Sequence, residues 1–370
     1  MHPTNAASRI LRLACIGIVT SLCAAAVRAS ESVAPWIVAM DVPAGAAFAP
    51  AVARALHAPI RTVVDKPSPS PTGDPHDYVS YARYFWPNPV RPGSLPFVRR
   101  DGHVNREQVD KGDRGRLGRF VETVSVLSMA WHRDHRADCA RRAGEWIRAW
   151  FLAPATRMNP NMDYAQVRIG HNHNQGNHTG VLDSRGFADV VDALRLLDGS
   201  PALAAGERVA VRSWFEHYDD WLMRAEPARL EREARNNHGS WYLVQAIAIA
   251  RYLGRDNEAR ALCREDEARI AWQIRPDGSQ PLELVRQDAL GYSVFNLEAQ
   301  LRVASLAEGL GIDLWRYKSP SGASLRGALD ALRPYNERPS RWPGRELAAL
   351  HPGFLDPLLA QAKALDATGT

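Results

Sequence analysis

The sequence predicts an all-α protein, an α/α toroid: an incomplete or closed barrel of about six to seven helical hairpins with an aromatic N-terminal loop region. Three observations predict it. From Leu117 onward, apolar residues recur at helical spacing in segment after segment. The connections between these segments are short and carry Gly, Pro, Asn or Asp. No alternating pattern longer than a few residues suggests a strand. A solenoid of helix pairs would show self-similarity at a fixed period, and none is visible. Unequal helices and large aromatic loops favour a toroid with a cleft at one end.

The elements follow in order. Arg9 and Arg12 precede an apolar, uncharged run from Leu13 to Val27, and Val27-Arg28-Ala29 forms a small-residue box before Ser30. Residues 1–29 therefore read as a secretory signal peptide, too short for a membrane span, which implies a periplasmic or secreted bacterial protein. Residues 30–76 form a leader with one helix around Phe48–Leu56 and a Pro-rich linker over 66–75, which cannot be helical. Residues 77–370 are the toroid domain. It begins with an extended, proline-punctuated loop to Pro96 that carries Tyr78, Tyr81, Tyr84, Phe85 and Trp86. Phe120, Val124, Leu127 and Trp131 then open the first long helix, and Phe187, Val190, Val191, Leu194 and Leu197 mark another. Further helical patterns cover about 137–152, 206–224, 240–253, 256–273, 296–309, 322–333 and 355–365.

Charge narrows the function. The chain carries 46 Lys+Arg against 41 Asp+Glu, a net +5. Removing residues 1–29 takes away three Arg and no acid, so the mature charge is +2. No basic run suggests nucleic acid. Almost every cation is Arg, with Lys only at 66, 111, 318 and 363. Codon bias explains that preference, yet Arg also suits an anionic polymer. Two cysteines, Cys139 and Cys263, remain after the signal. An oxidising compartment allows them to pair, and their helical apolar contexts equally allow two separate buried thiols. They show no zinc-type spacing.

One constellation carries chemistry. Arg235-Asn236-Asn237-His238-Gly239-Ser240-Trp241 stands just before an apolar helix, and Arg286 and Tyr292 follow. Amide and guanidinium donors can neutralise a carboxylate. An imidazole and a phenol can then take a proton from the adjacent carbon and protonate a leaving oxygen. This toolkit suits β-elimination on a polyuronate. One N-cap residue would account for a single Asn, not for two Asn and a His together. The aromatic loop is either a packed wall or a platform for the apolar face of a sugar. His171, His173 and His178 lie in a polar loop that lacks the acids of a recognisable metal set apart from Asp183, so lining the cleft is the better reading. Glu231, Glu283 and Asp288 would be the carboxylates of a glycoside hydrolase on the same fold. A non-catalytic periplasmic polysaccharide-binding protein would keep the aromatic loop and have no use for the His/Tyr/Arg set.

These residues together resemble the alginate-lyase-like family of bacterial polysaccharide lyases over about 66–365. The resemblance rests on Gly73-Asp-Pro-His-Asp-Tyr-Val-Ser80, Tyr84-Phe-Trp-Pro-Asn-Pro89, Arg99-Arg-Asp-Gly-His-Val-Asn105, Trp150 through Pro160, Asn236-Asn-His-Gly239, and Arg286 through Leu297. It implies a lyase on an α/α toroid that cleaves a 1,4-linked polyuronate, alginate or glucuronan-like, and leaves unsaturated ends. It matches Asn237, His238, Arg286 and Tyr292 to the catalytic set and Glu231 to an acidic residue ahead of it. Tyr84, Trp86, Asn236, Trp241 and His178 join Glu231 as expected substrate contacts. The chain departs from the family around His171–His178. Asn237 and Arg286 are expected to hold the substrate carboxylate, and Arg286 to lower the Tyr292 pKa below about 10. No metal or organic cofactor is expected. The expected partner is an anionic polysaccharide or oligosaccharide, with no nucleic acid and no membrane insertion after signal cleavage.

Overall fold

The computed structural model describes residues 34–347 and 349–368. The expected signal segment lies outside the described residues. From Ala34 onward the chain forms one compact, mostly helical unit, an α/α toroid. The leader belongs to it. Helix α1 (Phe48–His57) packs on α3 (Arg114–Asp134) and α4 (Ala137–Ile147). The N–H groups of Trp36, Ile37 and Val38 all donate to Asp192 Oδ2, at 2.8, 2.8 and 2.9 Å. The Pro-rich stretch is pinned as well: Ser70 Oγ and Thr72 Oγ1 each donate to Asp77 Oδ2 at 2.7 Å. The short α2 (Arg106–Val109) leads into α3.

Four helices form the inner wall. In packing order they are α3, α5 (Phe187–Leu196), α8 (Asn237–Tyr252) and α11 (Ala289–Glu308). Helices α5, α8 and α11 are buried on nearly every face, with polar residues such as Asp192, Gln245 and Gln300 buried among the apolar ones. Outside them lie α4, α6 (Ala205–Arg224), α7 (Glu226–Glu233), α9 (Asp256–Gln273) and α12 (Leu325–Leu332). Residues 135–136 and 253–255 are short enough to fold α3 back on α4 and α8 back on α9. The one-turn α10 (Pro281–Leu284) introduces α11. Helix α13 (Asp356–Ala367) packs against both α11 and the leader turn Val38–Met40, joining the last inner helix to the start of the described chain.

An aromatic cluster fills one side of the ring. Phe120 stacks on Trp150 with centroids 4.8 Å apart, and Phe151 meets Trp214 at 4.4 Å. Such pairs add about 0.5–1.5 kcal/mol each beyond the area they bury. Cys139 and Cys263 are both free and buried, each on its own helix, and burial raises their thiol pKa values to about 11 and about 12. The two-separate-thiols reading holds.

The boundaries differ from expectation at two informative places. Helix α8 begins at Asn237 rather than near Ser240, because Asn236 caps it: Asn236 Oδ1 accepts from the His238 N–H at 3.3 Å. Helix α11 begins at Ala289, which puts Tyr292 inside the first turn and not ahead of it. Helix α7 carries almost no apolar periodicity, since only Ala228 and Glu231 are buried in it, and the sequence pattern passed over it. Four short strands pin the aromatic loop. β1 (Val79–Tyr81) pairs in parallel with β4 (Tyr164–Val167). β2 (Phe85–Trp86) pairs antiparallel with β3 (Val98–Arg99), Phe85 opposite Arg99.

Candidate active site

The β2–β3 hairpin, the turn at His178, the α7–α8 junction and the α10–α11 corner converge on one cleft of about 490 Å³. His178, Asn236, Asn237, His238, Arg286, Tyr84 and Tyr292 all line it.

The α7–α8 junction is tightly built. Arg269 donates to the carbonyls of Arg232 and Ala234, satisfying the free end of α7. Gly239 lies so close that a Cβ there would collide with Ala234 O and the Arg269 guanidinium. Gln273 Nε2 donates to Arg235 O at 2.9 Å and Asn236 O at 3.2 Å, which fixes its Oε1 as an acceptor. Gln300 Nε2 donates to that Oε1 at 2.8 Å. In this orientation Gln300 Oε1 faces Asp266 Oδ2 across 2.6 Å. Two acceptors cannot share that distance, so the Asp266 carboxyl carries the proton. Burial raises its pKa to about 7, in keeping with this.

Glu231 is fully buried and bridges two imidazoles. Its Oε1 accepts from His238 Nδ1 at 2.5 Å and its Oε2 from His178 Nδ1 at 3.0 Å. Tying Nδ1–H to a carboxylate leaves each Nε2 as the working atom of the neutral ring. Glu231 was expected to touch substrate; both of its oxygens are instead spent on orienting histidines. The other two histidines of the loop go elsewhere: His171 Nε2 bonds Phe97 O at 2.7 Å and His173 is exposed. Among the described residues no group of three His, Cys, Asp or Glu is placed to hold a metal ion.

Tyr292 does not have the expected lowered pKa. Burial, then the hydrogen bond to Tyr84, push its phenol well above the ordinary value, and these outweigh the opposing pull of Arg286. The Tyr84 and Tyr292 hydroxyls lie 2.7 Å apart. The Arg286 guanidinium sits 3.6 Å from the Tyr292 ring centroid. Arg286 Nη2 and Nε donate to Asp101 Oδ1 and Oδ2 at 2.9 and 3.2 Å. Burial opposes the Arg286 charge, but Asp101 and Tyr292 outweigh it and the guanidinium is held more firmly charged than usual.

Asn237 differs from expectation in its bonding. Its N–H and its Nδ2 both donate to Glu283, at 2.8 and 2.7 Å, and its buried Oδ1 has no partner. Burial raises the Glu283 pKa against the pull of those two bonds. With Glu231 spent on His178 and His238, and Glu283 on Asn237, these two carboxylates do not form the pair a hydrolase needs.

Two expected contacts lie off the cleft. Trp241 is one turn deeper along α8, buried, tilted on Phe295 at 4.9 Å and covered by Arg185 at 5.4 Å. It lines a second cavity on the inner side of Arg185. Trp86 donates from Nε1 to His103 O at 2.9 Å and is absent from the cleft lining. The largest feature missed from sequence is the wall itself. Arg83, Arg99, Arg114, Arg168, Arg185 and Arg286 line the cleft together with Asp288, and Asp101 and Asp183 pair with three of them. Asp183 raises the Arg114 pKa, whereas burial lowers those of Arg168 and Arg185. No motif joins these arginines; the fold gathers them from five segments.

Residues 62–342 match the family model described as alginate lyase. The chain is similar to the crystal structure of an alginate lyase from Bacteroides ovatus, with 34% identity and a TM-score of 0.81 over 87% of this chain and 85% of that one. Two variants of alginate lyase A1-III, one His-to-Ala and one Tyr-to-Phe, each complexed with a tetrasaccharide, share the fold. For both, the TM-score is 0.51 and the identity 16%, over 79% of this chain and 77% of theirs. No curated protein matches the chain.

Proposed function

From the premise that this chain belongs to the alginate lyase family and is a polysaccharide lyase, we propose that it cleaves a 1,4-linked polyuronate, alginate or glucuronan-like, by β-elimination. One observation carries the reading: an oriented phenol and an oriented imidazole face the same cleft, and that cleft is walled by arginines.

The arginine wall draws in the polyanion, and Arg286 neutralises the carboxylate next to C5, so that the carbanion formed there is stabilised as an enolate. Asn237 joins it in one specific way. With Glu283 in the neutral form that its burial favours, the amide turns so that Oδ1 accepts from the Glu283 carboxyl and Nδ2 is offered to the substrate carboxylate. In β-mannuronate and β-glucuronate the C5 proton and the C4 oxygen lie on one side, and Tyr292 serves both steps. The C5–H pair passes to the C4=C5 bond, the C4–O bond breaks, and the proton reaches the leaving oxygen through the phenol. In α-guluronate they lie on opposite sides; His238 Nε2 takes the proton while Tyr292 protonates the leaving oxygen. Tyr84, within hydrogen-bond distance of Tyr292, supplies or accepts the proton between turnovers.

The experiment is incubation with a panel of polyuronates and their oligomers while near-ultraviolet absorbance is followed. A lyase makes a conjugated C4=C5 bond and absorbance rises. A folded protein that gives no rise on alginate or glucuronan does not have this function. We also propose export with cleavage near Ser30. Mass spectrometry of the exported protein checks it, and a retained Met1–Ala29 segment rules it out.

A further inference from the structure

We propose that Asp101 is a positioning residue for the elimination: it fixes the Arg286 guanidinium over the Tyr292 ring. This rests on the polyuronate-lyase reading above. Asp101 follows β3 and comes from the far wall of the cleft, 185 residues from Arg286 in sequence. It grips the Nε–Nη2 edge of Arg286 as a fork, the geometry that removes most rotational freedom from a guanidinium. The central carbon of the same group lies 3.6 Å from the Tyr292 ring centroid. With the Nε–Nη2 edge held, Nη1 is the part of the group left outside the Asp101 pair.

A carboxylate on a substrate-binding arginine invites a rival reading, in which Asp101 stands in for the substrate and leaves when it binds. Two observations oppose that. Arg99 Nη2 also holds Asp101 Oδ1, at 2.6 Å, so the carboxylate is tied from two sides. The turn behind it is seated as well. Gly102 has φ +77°, and a Cβ there would press on the Leu347 and Gln287 side chains, so the turn is packed closely against the α10–α11 corner. The hairpin that supplies Tyr84 and Arg99 to the cleft is therefore latched to the corner that supplies Arg286 and Tyr292, and Asp101 is the charged part of that latch.

Asp101→Asn keeps the shape and one acceptor oxygen; Asp101→Ala removes the fork. On a polyuronate that the wild type cleaves, Asp101→Ala should lower kcat on the order of 10²-fold, the scale of a small misplacement of a working group, while KM changes much less. Asp101→Asn should fall between it and the wild type. The pH optimum of kcat should move upward in Asp101→Ala, because a displaced Arg286 no longer favours the phenolate. A merely structural latch would lower the melting temperature without moving that optimum, and this outcome overturns the proposal. So does a lowered KM with kcat retained, which identifies Asp101 as a competitor. A crystal structure of Asp101→Ala is the arm that needs no turnover: Arg286 should leave the Tyr292 ring, and an unmoved guanidinium overturns the proposal. If the wild type forms no unsaturated product on any polyuronate, the functional reading fails and the crystal structure alone decides the role of Asp101.

Discussion

Tyr292 holds its proton more tightly than a free phenol does, and this sets the direction of its pH response. A base with a raised pKa gains its working form only as pH rises, so turnover should climb through the alkaline range; a kcat that falls from pH 7 to 9 contradicts Tyr292 as the base. Tyr292→Phe keeps the ring against Arg286 and removes the proton-transfer atom. It should lose at least about 10²-fold in kcat with an unchanged melting temperature. Substantial turnover by the folded variant overturns the mechanism. Glu231→Ala frees both imidazoles at once, so it should cost about tenfold or more in kcat, within the range of general acid–base groups. His238→Ala should be as damaging as Tyr292→Phe on guluronate linkages and milder on mannuronate, since only the former need a base on the opposite face. Equal losses on both linkages would mean that His238 supports the intermediate and takes no proton.

At the level of elements, the junction of α7 and α8 decides where His238 points. Gly239→Ala should destabilise the fold by about 1–3 kcal/mol, as overpacking does, and should lower activity, because relieving the clash shifts the turn that carries Asn236 through His238. Thermal unfolding checks the first part and kinetics the second. The same junction shows what was legible in the sequence. The helix after His238 was visible from its apolar run, and the polar cluster before it marked the site. Asn236 was named as a substrate contact and proves also to be the cap, because a helix start needs its own acceptor. Trp241 looked like a contact by its nearness in sequence, but a helix carries each turn deeper and Trp241 ends in the core. Glu231 was named for substrate and its real partners were missed, since one of them, His178, arrives from 53 residues away. Strands of two to four residues leave no readable period, so the hairpin that delivers Tyr84, Arg99 and Asp101 was seen only as an aromatic loop.

For the whole molecule, buried acids set the stability profile. Burial raises Asp266 to about 7 and Asp113 and Asp219 to about 6, from 3.8. Each binds its proton more tightly in the folded state, so its stabilising effect is complete below about 4 and is lost as pH rises to about 6 or 7. The melting temperature should therefore decline from pH 5 to pH 8, opposite to the trend expected for turnover. Asp266→Asn can donate to Gln300 at every pH and should flatten part of that decline; an unchanged slope would mean that Asp266 is ionised throughout. The ring of arginines has a further physical consequence. Six guanidiniums line one opening, and with Asp101 and Asp183 offsetting part of their charge they still make a small anion exchanger. Dissolved ions compete for such a surface, and their screening reaches only about 10 Å at 0.1 M salt. Added sodium chloride should slow capture of dilute polymer steeply yet leave the saturated rate almost untouched. Unrelated polyanions with no hydrogen to lose, such as polyphosphate, should lodge in the same opening and block it.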